Sequence, residues 1–194
     1  GKPLYTEHPV TLNSPSCERI LLASQALNVK ASVAHYRRGL PLFQKIKSLL
    51  ESGVIGKPRL VSCNTFQAAT EKMKVPGYWR TSPEVSGGGL FFDLAPHQLD
   101  IFYWLFGAPA VLHGFSENQK GDYNAPDLTN VEAVFGNDVY LHGLWTFNLD
   151  ASSDRDVCEI FGEKGSMKFS FFRAAELEVI TAKGTEAHRL PFPE

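Results

Sequence analysis

The sequence predicts an α+β fold: a mostly antiparallel, open sheet with helices on one face, preceded by a short parallel βαβ unit. Three observations predict it. Residues 3–36 read strand, helix, strand. Residues 41–106 carry two strongly helical patterns. From Ala110 onward the chain turns into six strand-like runs separated by short turns. Runs of strands after a block of helices are the mark of an α+β domain.

The elements follow in order. Pro3-Leu4-Tyr5-Thr6 reads as a strand ending in Glu7-His8-Pro9. Asn13-Ser14-Pro15 opens a helix, with Ser14 as N-cap and Pro15 at the first helical position. Ile20, Leu21, Leu22, Ala26 and Leu27 supply its apolar positions, and Asn28 suits a left-handed stop. Val29 to Tyr36 is the second strand, and the unit is expected to be parallel and right-handed. A helix is expected from Pro41 to Ser52 on Leu42, Phe43, Ile46, Leu49 and Leu50, closed by Gly53 and Gly56. Arg59 to Ala69 is a long strand in which either alternating set suits the core.

Residues 70–87 form the longest irregular stretch, a length usually tied to function or mobility. Gly87-Gly88-Gly89 then leads into a helix that runs to about Phe106. Pro96 removes one backbone donor there and predicts a kink or a change of turn just before His97. Val111–Asn118, Thr129–Phe135, Val139–Asn148, Val157–Phe161, Ser166–Phe172 and Leu177–Thr181 read as strands. Gly136-Asn137-Asp138 and Glu163-Lys164-Gly165 are turns of hairpin length.

Composition narrows the function. The 194 residues are 43% hydrophobic and 21% charged, ordinary for a soluble globular protein. A net charge of -2 gives no electrostatic case for nucleic acid or an anionic membrane. No apolar run is long enough to span a bilayer. Cys17, Cys63 and Cys158 are odd in number and far apart, so free thiols are expected rather than a disulfide frame or zinc knuckle. No metal site is expected.

The chemistry concentrates in Ser86–Asp100. Asp93 and His97 lie four apart and share one helix face. A carboxylate there can fix the imidazole tautomer and raise its basicity, while the imidazole moves a proton near neutral pH. From spacing alone a capping acid and an ordinary polar histidine are the commoner reading of D-x-x-x-H. The three glycines permit a close approach of backbone to a ligand or to a neighbouring segment. Tyr36-Arg37-Arg38 sits at a predicted strand end, where open parallel sheets bind ligands. Its arginines suit polar or anionic substrate groups, or plain surface charge. Tyr78-Trp79-Arg80 could line a sugar-sized pocket or pin its loop. His8, before a proline, is held extended.

Together these motifs resemble the glucose-fructose oxidoreductase / inositol dehydrogenase family of NAD(P)-dependent oxidoreductases, over nearly the whole chain. The resemblance rests on Gly1–Pro9, Ser14–Asn28, Val29–Arg38, the helix ending near Gly53-Val54-Ile55-Gly56, Trp79-Arg80, Gly87-Gly88-Gly89 with Asp93 and His97, and Gly162-Glu163-Lys164-Gly165-Ser166. It implies that residues 1–36 are a remnant of a dinucleotide-binding Rossmann domain. Residues 37–194 would be the substrate-binding and oligomerisation domain, ending early at Pro193-Glu194. It implies hydride transfer to or from a hydroxyl-bearing carbon of a sugar or cyclitol. His97 would move the hydroxyl proton and Asp93 would orient it. Arg37, Arg38, Trp79 and Arg80 would line the substrate pocket, and Glu7, His8 and Pro9 would meet NAD or NADP.

Two departures qualify this. The family's Glu-Lys-Pro reads Glu7-His8-Pro9 here, so a shorter, titratable ring stands where a lysine cation is usual. No strand–G-x-G-x-x-G–helix is present, so these residues alone are not expected to bind NAD(P) tightly. The expected setting is cytoplasmic. A non-catalytic ligand-sensing or oligomerisation domain on the same fold is the alternative. A homo-oligomer is expected through the open sheet face, with Tyr140, Trp145 and Phe147 upon it.

Overall fold

The structure is a computed structural model that describes residues 1–191. Pro193-Glu194 lies outside the described residues. Strand β1 (Leu4–Thr6), helix α1 (Ser14–Ala26) and strand β2 (Ala31–Val33) form the first unit, with β1 and β2 paired in parallel. Asn13, not Ser14, caps α1: its side chain accepts from the Ser16 amide, and Asn13 holds the extended backbone a cap requires. The second strand is shorter than the sequence suggests. Tyr36–Gly39 winds into a 3₁₀ turn, so Arg37 and Arg38 lie on a turn rather than at a strand end.

Helix α2 (Pro41–Glu51) and strand β3 (Pro58–Phe66) follow. The irregular stretch contains 3₁₀ turns at Glu71–Lys74 and Trp79–Thr81 and one helical turn, α3 (Pro83–Ser86). Helix α4 (Leu90–Phe106) runs through Pro96 as one element. The cost there is the single donor that proline lacks.

Seven further strands complete the fold: β4 (Pro109–Glu117), β5 (Leu128–Phe135), β6 (Tyr140–Thr146), β7 (Arg155–Gly162), β8 (Gly165–Phe169), β9 (Glu176–Thr181) and β10 (Gly184–Arg189). With β3 they make one eight-stranded sheet in the order β10-β9-β8-β7-β3-β6-β5-β4. Only β3 and β6 are parallel neighbours, because β3 enters from the helical half and lies between two hairpin-built blocks. The expected α+β architecture is therefore present.

The core fills one face of this sheet. Leu42, Phe43 and Ile46 of α2 and Leu90, Ala95, Ile101 and Phe102 of α4 pack on Val61, Cys63, Leu141, Trp145, Cys158, Ile160 and Met167. The alternation in β3 resolves in favour of Val61, Cys63 and Thr65 facing inward. The expectation for the open face is corrected by the same period of two. Leu141, Gly143 and Trp145 point one way and Tyr140, His142 and Leu144 the other. Trp145 and Phe147 are buried in the core and cannot share a face with Tyr140.

The first unit is packed differently. No residue of α1 is buried, and Leu21, Leu22 and Leu27 are all more than half exposed. Among the described residues, no helix is long and apolar enough to cross a membrane. The three cysteines are free, with Cys63 and Cys158 buried directly opposite each other on β3 and β7.

Candidate active site

His8 leaves the carboxyl end of β1 and meets His97, which α4 brings up from the sheet side. Their Nε2 atoms lie 2.7 Å apart, and the rings meet edge to face at 3.9 Å between centroids. One ring must carry its proton on Nε2 and the other must leave Nε2 bare. The Nδ1 atoms of both rings are buried without a protein partner. The His8–Pro9 peptide bond is cis.

Burial dominates the ionisation of this pair. It pushes the His97 pKa from 6.5 down to about 3, helped by the nearby charges of His8, Arg37 and His35. His8 is also lowered, chiefly by burial, but the Asp93 carboxylate pulls it back up. Both rings are therefore neutral at pH 7, and of the two His8 is the one with an acid beside it.

The surroundings are aromatic. Tyr36 and Phe172 stand roughly edge-on to His97 at 5.7 and 6.1 Å. The Arg37 guanidinium lies over the Phe172 ring at 4.6 Å. His35 stacks parallel to His8 at 6.2 Å. Tyr36 entered the sequence reading only within Tyr36-Arg37-Arg38, and His35 and Phe172 were not sequence candidates. His35 lies just before that motif, so it could have been included. Phe172 is fixed by a turn in which Asp156 accepts from the amides of Phe171 and Phe172, which no local pattern reveals.

The remaining predicted residues are placed as follows. Asp93 does not bond His97. Its carboxylate forms an ion pair with Arg80 Nε at 3.0 Å, because the Trp79–Thr81 turn delivers a cation closer than the imidazole. Arg80 also lies over the Trp79 ring at 5.1 Å, while Trp79 itself stays largely exposed. Arg38 grips Asp100 with two bonds of 2.8 and 2.5 Å. Arg37 is only 7% exposed and donates from Nη1 to the Phe171 carbonyl at 2.6 Å. Both arginines are thus spent on protein partners. Their contribution is to fix the 36–39 turn against α4 and the 170–172 turn.

The glycines meet chain, not open space. Gly89 has φ 78° and ψ −157°, a conformation essentially restricted to glycine. A Cβ at Gly89 would stand 2.6 Å from the Ala125 Cβ, and one at Gly88 would stand 2.4 Å from the Phe92 ring. They let the 80s segment, the 125–126 loop and the start of α4 crowd together, which seats Asp93 and His97.

A cavity of about 480 Å³ lies between α4 and strands β4 and β5, lined by Phe91, Leu99, Leu112, Phe115 and Val131. His113 lines it, but His8, His35 and His97 do not. Among the described residues, no group of three or more His, Cys, Asp or Glu side chains is arranged to hold a metal ion. What the His8–His97 junction can do is exchange protons with a hydroxyl: it offers two neutral rings in contact and buried nitrogens without partners.

Comparison with known proteins gives the family. Residues 43–168 match the model of the GFO/IDH/MocA C-terminal domain. The chain is 41% identical over 176 residues to "Oxidoreductase P35" of Formosa agariphila, covering 89% of this chain and 53% of that protein. It is 25% identical over 184 residues to an inositol 2-dehydrogenase of Burkholderia vietnamiensis, covering 87% and 48%. A structure of levoglucosan dehydrogenase in complex with NADH and L-sorbose superposes with a TM-score of 0.85 at 22% identity, over 97% of this chain and 55% of that one. The chain spans about half the length of the relatives it matches. The chain belongs to the GFO/IDH/MocA family and carries that family's C-terminal domain.

Proposed function

We propose that the full-length protein is an NAD(P)-dependent oxidoreductase that moves hydride to or from a hydroxyl-bearing carbon of a sugar or cyclitol. Residues 1–36 then belong to its dinucleotide-binding domain and residues 37–194 to its substrate domain. One observation carries the reading: the 2.7 Å contact between His8, at the end of a parallel strand, and His97 of α4. Relatives named as an inositol 2-dehydrogenase and a D-xylose 1-dehydrogenase using NADP(+) supply the substrate class.

The residues suit a nicotinamide on one structural count. A carboxamide or hydroxyl lying at this junction meets buried ring nitrogens that lack partners. The chemistry a nicotinamide supplies when bound is hydride acceptance or donation. Glu7, His8 and Pro9 would hold its edge.

The protein's own part is the proton. In the oxidative direction His97 donates its Nε2–H to His8 Nε2, which leaves His97 Nδ1 bare to accept the substrate hydroxyl's proton as general base. Burial makes a doubly protonated His97 unfavourable, so the Nε2 proton passes on to His8 Nε2, where Asp93 favours the charged ring. Arg80 holds Asp93 in place for this. Tyr36 and Phe172 exclude water and offer apolar walls to the carbon face of a ring. The reverse sequence supports reduction.

The test is turnover of a sugar and cyclitol panel by the full-length protein with NAD+ and with NADP+. His97→Ala is expected to lower kcat by about 10²- to 10⁴-fold. Unchanged turnover of every accepted substrate removes the role. A second reading, ligand sensing without catalysis, is favoured by His8 in the place of lysine. His8→Lys separates the two: activity gained from zero supports sensing, and activity lost shows that His8 works in catalysis.

A second copy is proposed on the open sheet face, which carries Leu60, Phe66, Tyr140, Leu144, Val157 and Phe161, all at least partly exposed. A monomer by sedimentation at high concentration counts against it.

A further inference from the structure

We propose that Gln98 is a positioning residue that sets the depth and register of α4 on the sheet, and through them the His8–His97 contact. This rests on the catalytic reading above for its consequence, though not for its geometry.

Gln98 is fully buried, next in sequence to His97 and about 100° further round the helix. Its amide is the polar centre of an otherwise apolar interface. Nε2 donates to Thr65 Oγ1 at 2.8 Å and lies 3.4 Å from Cys63 Sγ, both on β3. Oε1 accepts from Trp145 Nε1 at 2.6 Å, on β6. Thr65 and Trp145 are direct partners in the parallel β3–β6 pairing. One amide thus ties the helix to two adjacent strands at one level.

The strands are shaped for this tie. A Cβ at Gly143 would fall 2.4 Å from the Trp145 indole, so the ring lies down over Gly143 along its own strand. Phe91 meets the indole edge to face at 5.1 Å from about two turns earlier in α4. The indole N–H is left with Gln98 as its acceptor.

Why a polar tie matters follows from what the rest of the interface lacks. Leu90, Ala95, Ile101 and Phe102 bury well in more than one rotation or shift of the helix, because apolar contacts are non-directional. A hydrogen-bonded amide in the interior does not: a displaced helix strands a donor and an acceptor without water. Misplacement of a reacting group by about 1 Å can cost on the order of 10²-fold in rate. His97 is one residue away from the tie, so helix rotation moves it directly.

The experiment uses the full-length protein and three variants: Gln98→Leu, Thr65→Val and Trp145→Phe. Two readouts are taken. The first is the imidazole ¹⁵N/¹H spectrum, in which the His8–His97 N–H···N bond gives a far-downfield proton coupled to both rings. The second is kcat and KM for an accepted sugar. Gln98→Leu is expected to abolish the shared-proton signal and lower kcat by about 10- to 100-fold, with KM and cofactor affinity within twofold. Thr65→Val and Trp145→Phe each remove one bond, and each should show a smaller loss of the same kind. Thr65→Ser, which keeps the hydroxyl, should restore both readouts. If Gln98→Leu does not fold, the other two decide. A retained shared-proton signal in the folded variants overturns the proposal, whether or not melting temperature falls. If the wild-type protein turns over nothing, the catalytic reading fails while the spectrum still decides the positioning role.

Discussion

Helices α1 and α4 both carry leucines and aromatic or aliphatic residues at helical spacing, yet α1 buries no side chain and α4 buries six. The difference lies opposite them. α4 lies on an eight-stranded sheet with β3 and β6 beneath it, whereas α1 joins two three-residue strands that pair only with each other. Amphipathic spacing specifies a helix and the face it would bury. It does not specify that a layer is there to receive it. The candidate site lies where the two regions touch, with His8 from the thin unit and His97 from the thick one.

The sharpest way to test the comparison is to delete core volume beneath α4. Phe102 is fully buried and packs edge to face on Phe171 at 5.7 Å. Phe102→Ala is expected to cost about 3–5 kcal/mol in a denaturant titration. A loss below about 1 kcal/mol would mean that α4 is no better anchored than α1.

Next in size is the entry to α4. Gly89→Ala must hold a backbone conformation that L-residues avoid and place a methyl against Ala125. A loss of about 2 kcal/mol or more is expected. Gly77→Ala, also at positive φ but with open space around it, should cost less. Equal losses would remove the crowding argument.

The junction itself responds to pH. His97 binds its proton far more weakly when folded than the ordinary 6.5, and His8 is shifted the same way. The unfolded chain therefore takes up more protons as pH falls, and stability drops progressively from about pH 6.5 towards pH 3. His97→Phe removes one of the two groups. Between pH 7 and pH 5 the variant should lose less stability than the wild type, by on the order of 1 kcal/mol after solvent screening. Parallel curves would show that His97 is not buried as described.

The two regions were also unequally legible in the sequence. The α+β class, the parallel first unit and most strand positions follow from spacing and turn residues. Strand β10 does not: five of its six residues are exposed, so Gly184–Arg189 shows no apolar alternation. Its one signal is the short turn after Thr181. The core face of β3 was ambiguous because Thr65, which faces inward, is polar, while Phe66, which faces outward, is apolar. That inversion exists because Thr65 accepts from Gln98. Trp145 and Tyr140 were set on one face against the period of two, an error of parity.

In the candidate site, His97 could be found from its position on a helix after a glycine turn. The partner of Asp93 could not. Spacing on one helix puts Asp93 beside His97, but a cation from 13 residues upstream reaches the carboxylate first. Likewise Arg37 and Arg38 were read as free charges, and only the folded chain supplies Phe171 and Asp100 to occupy them. Residues whose partners are distant in sequence carry no local signal of being taken.

The smallest expected effect returns to α1. Leu22 is 56% exposed and touches no core cluster, so Leu22→Ala removes little buried area. Surface substitutions of this kind stay within about 0.5 kcal/mol. In this chain Leu22→Ala should therefore leave the denaturation midpoint unchanged within error, against the several kcal/mol expected for Phe102→Ala. The same substitution in the full-length protein asks a different question. If the dinucleotide-binding domain proposed above supplies the missing layer, Leu22 is buried there and its truncation should cost about 2 kcal/mol or more. The same small change in both contexts would mean that α1 stays uncovered in the whole protein, and that the parallel unit is an appendage of the sheet domain rather than part of a nucleotide-binding one.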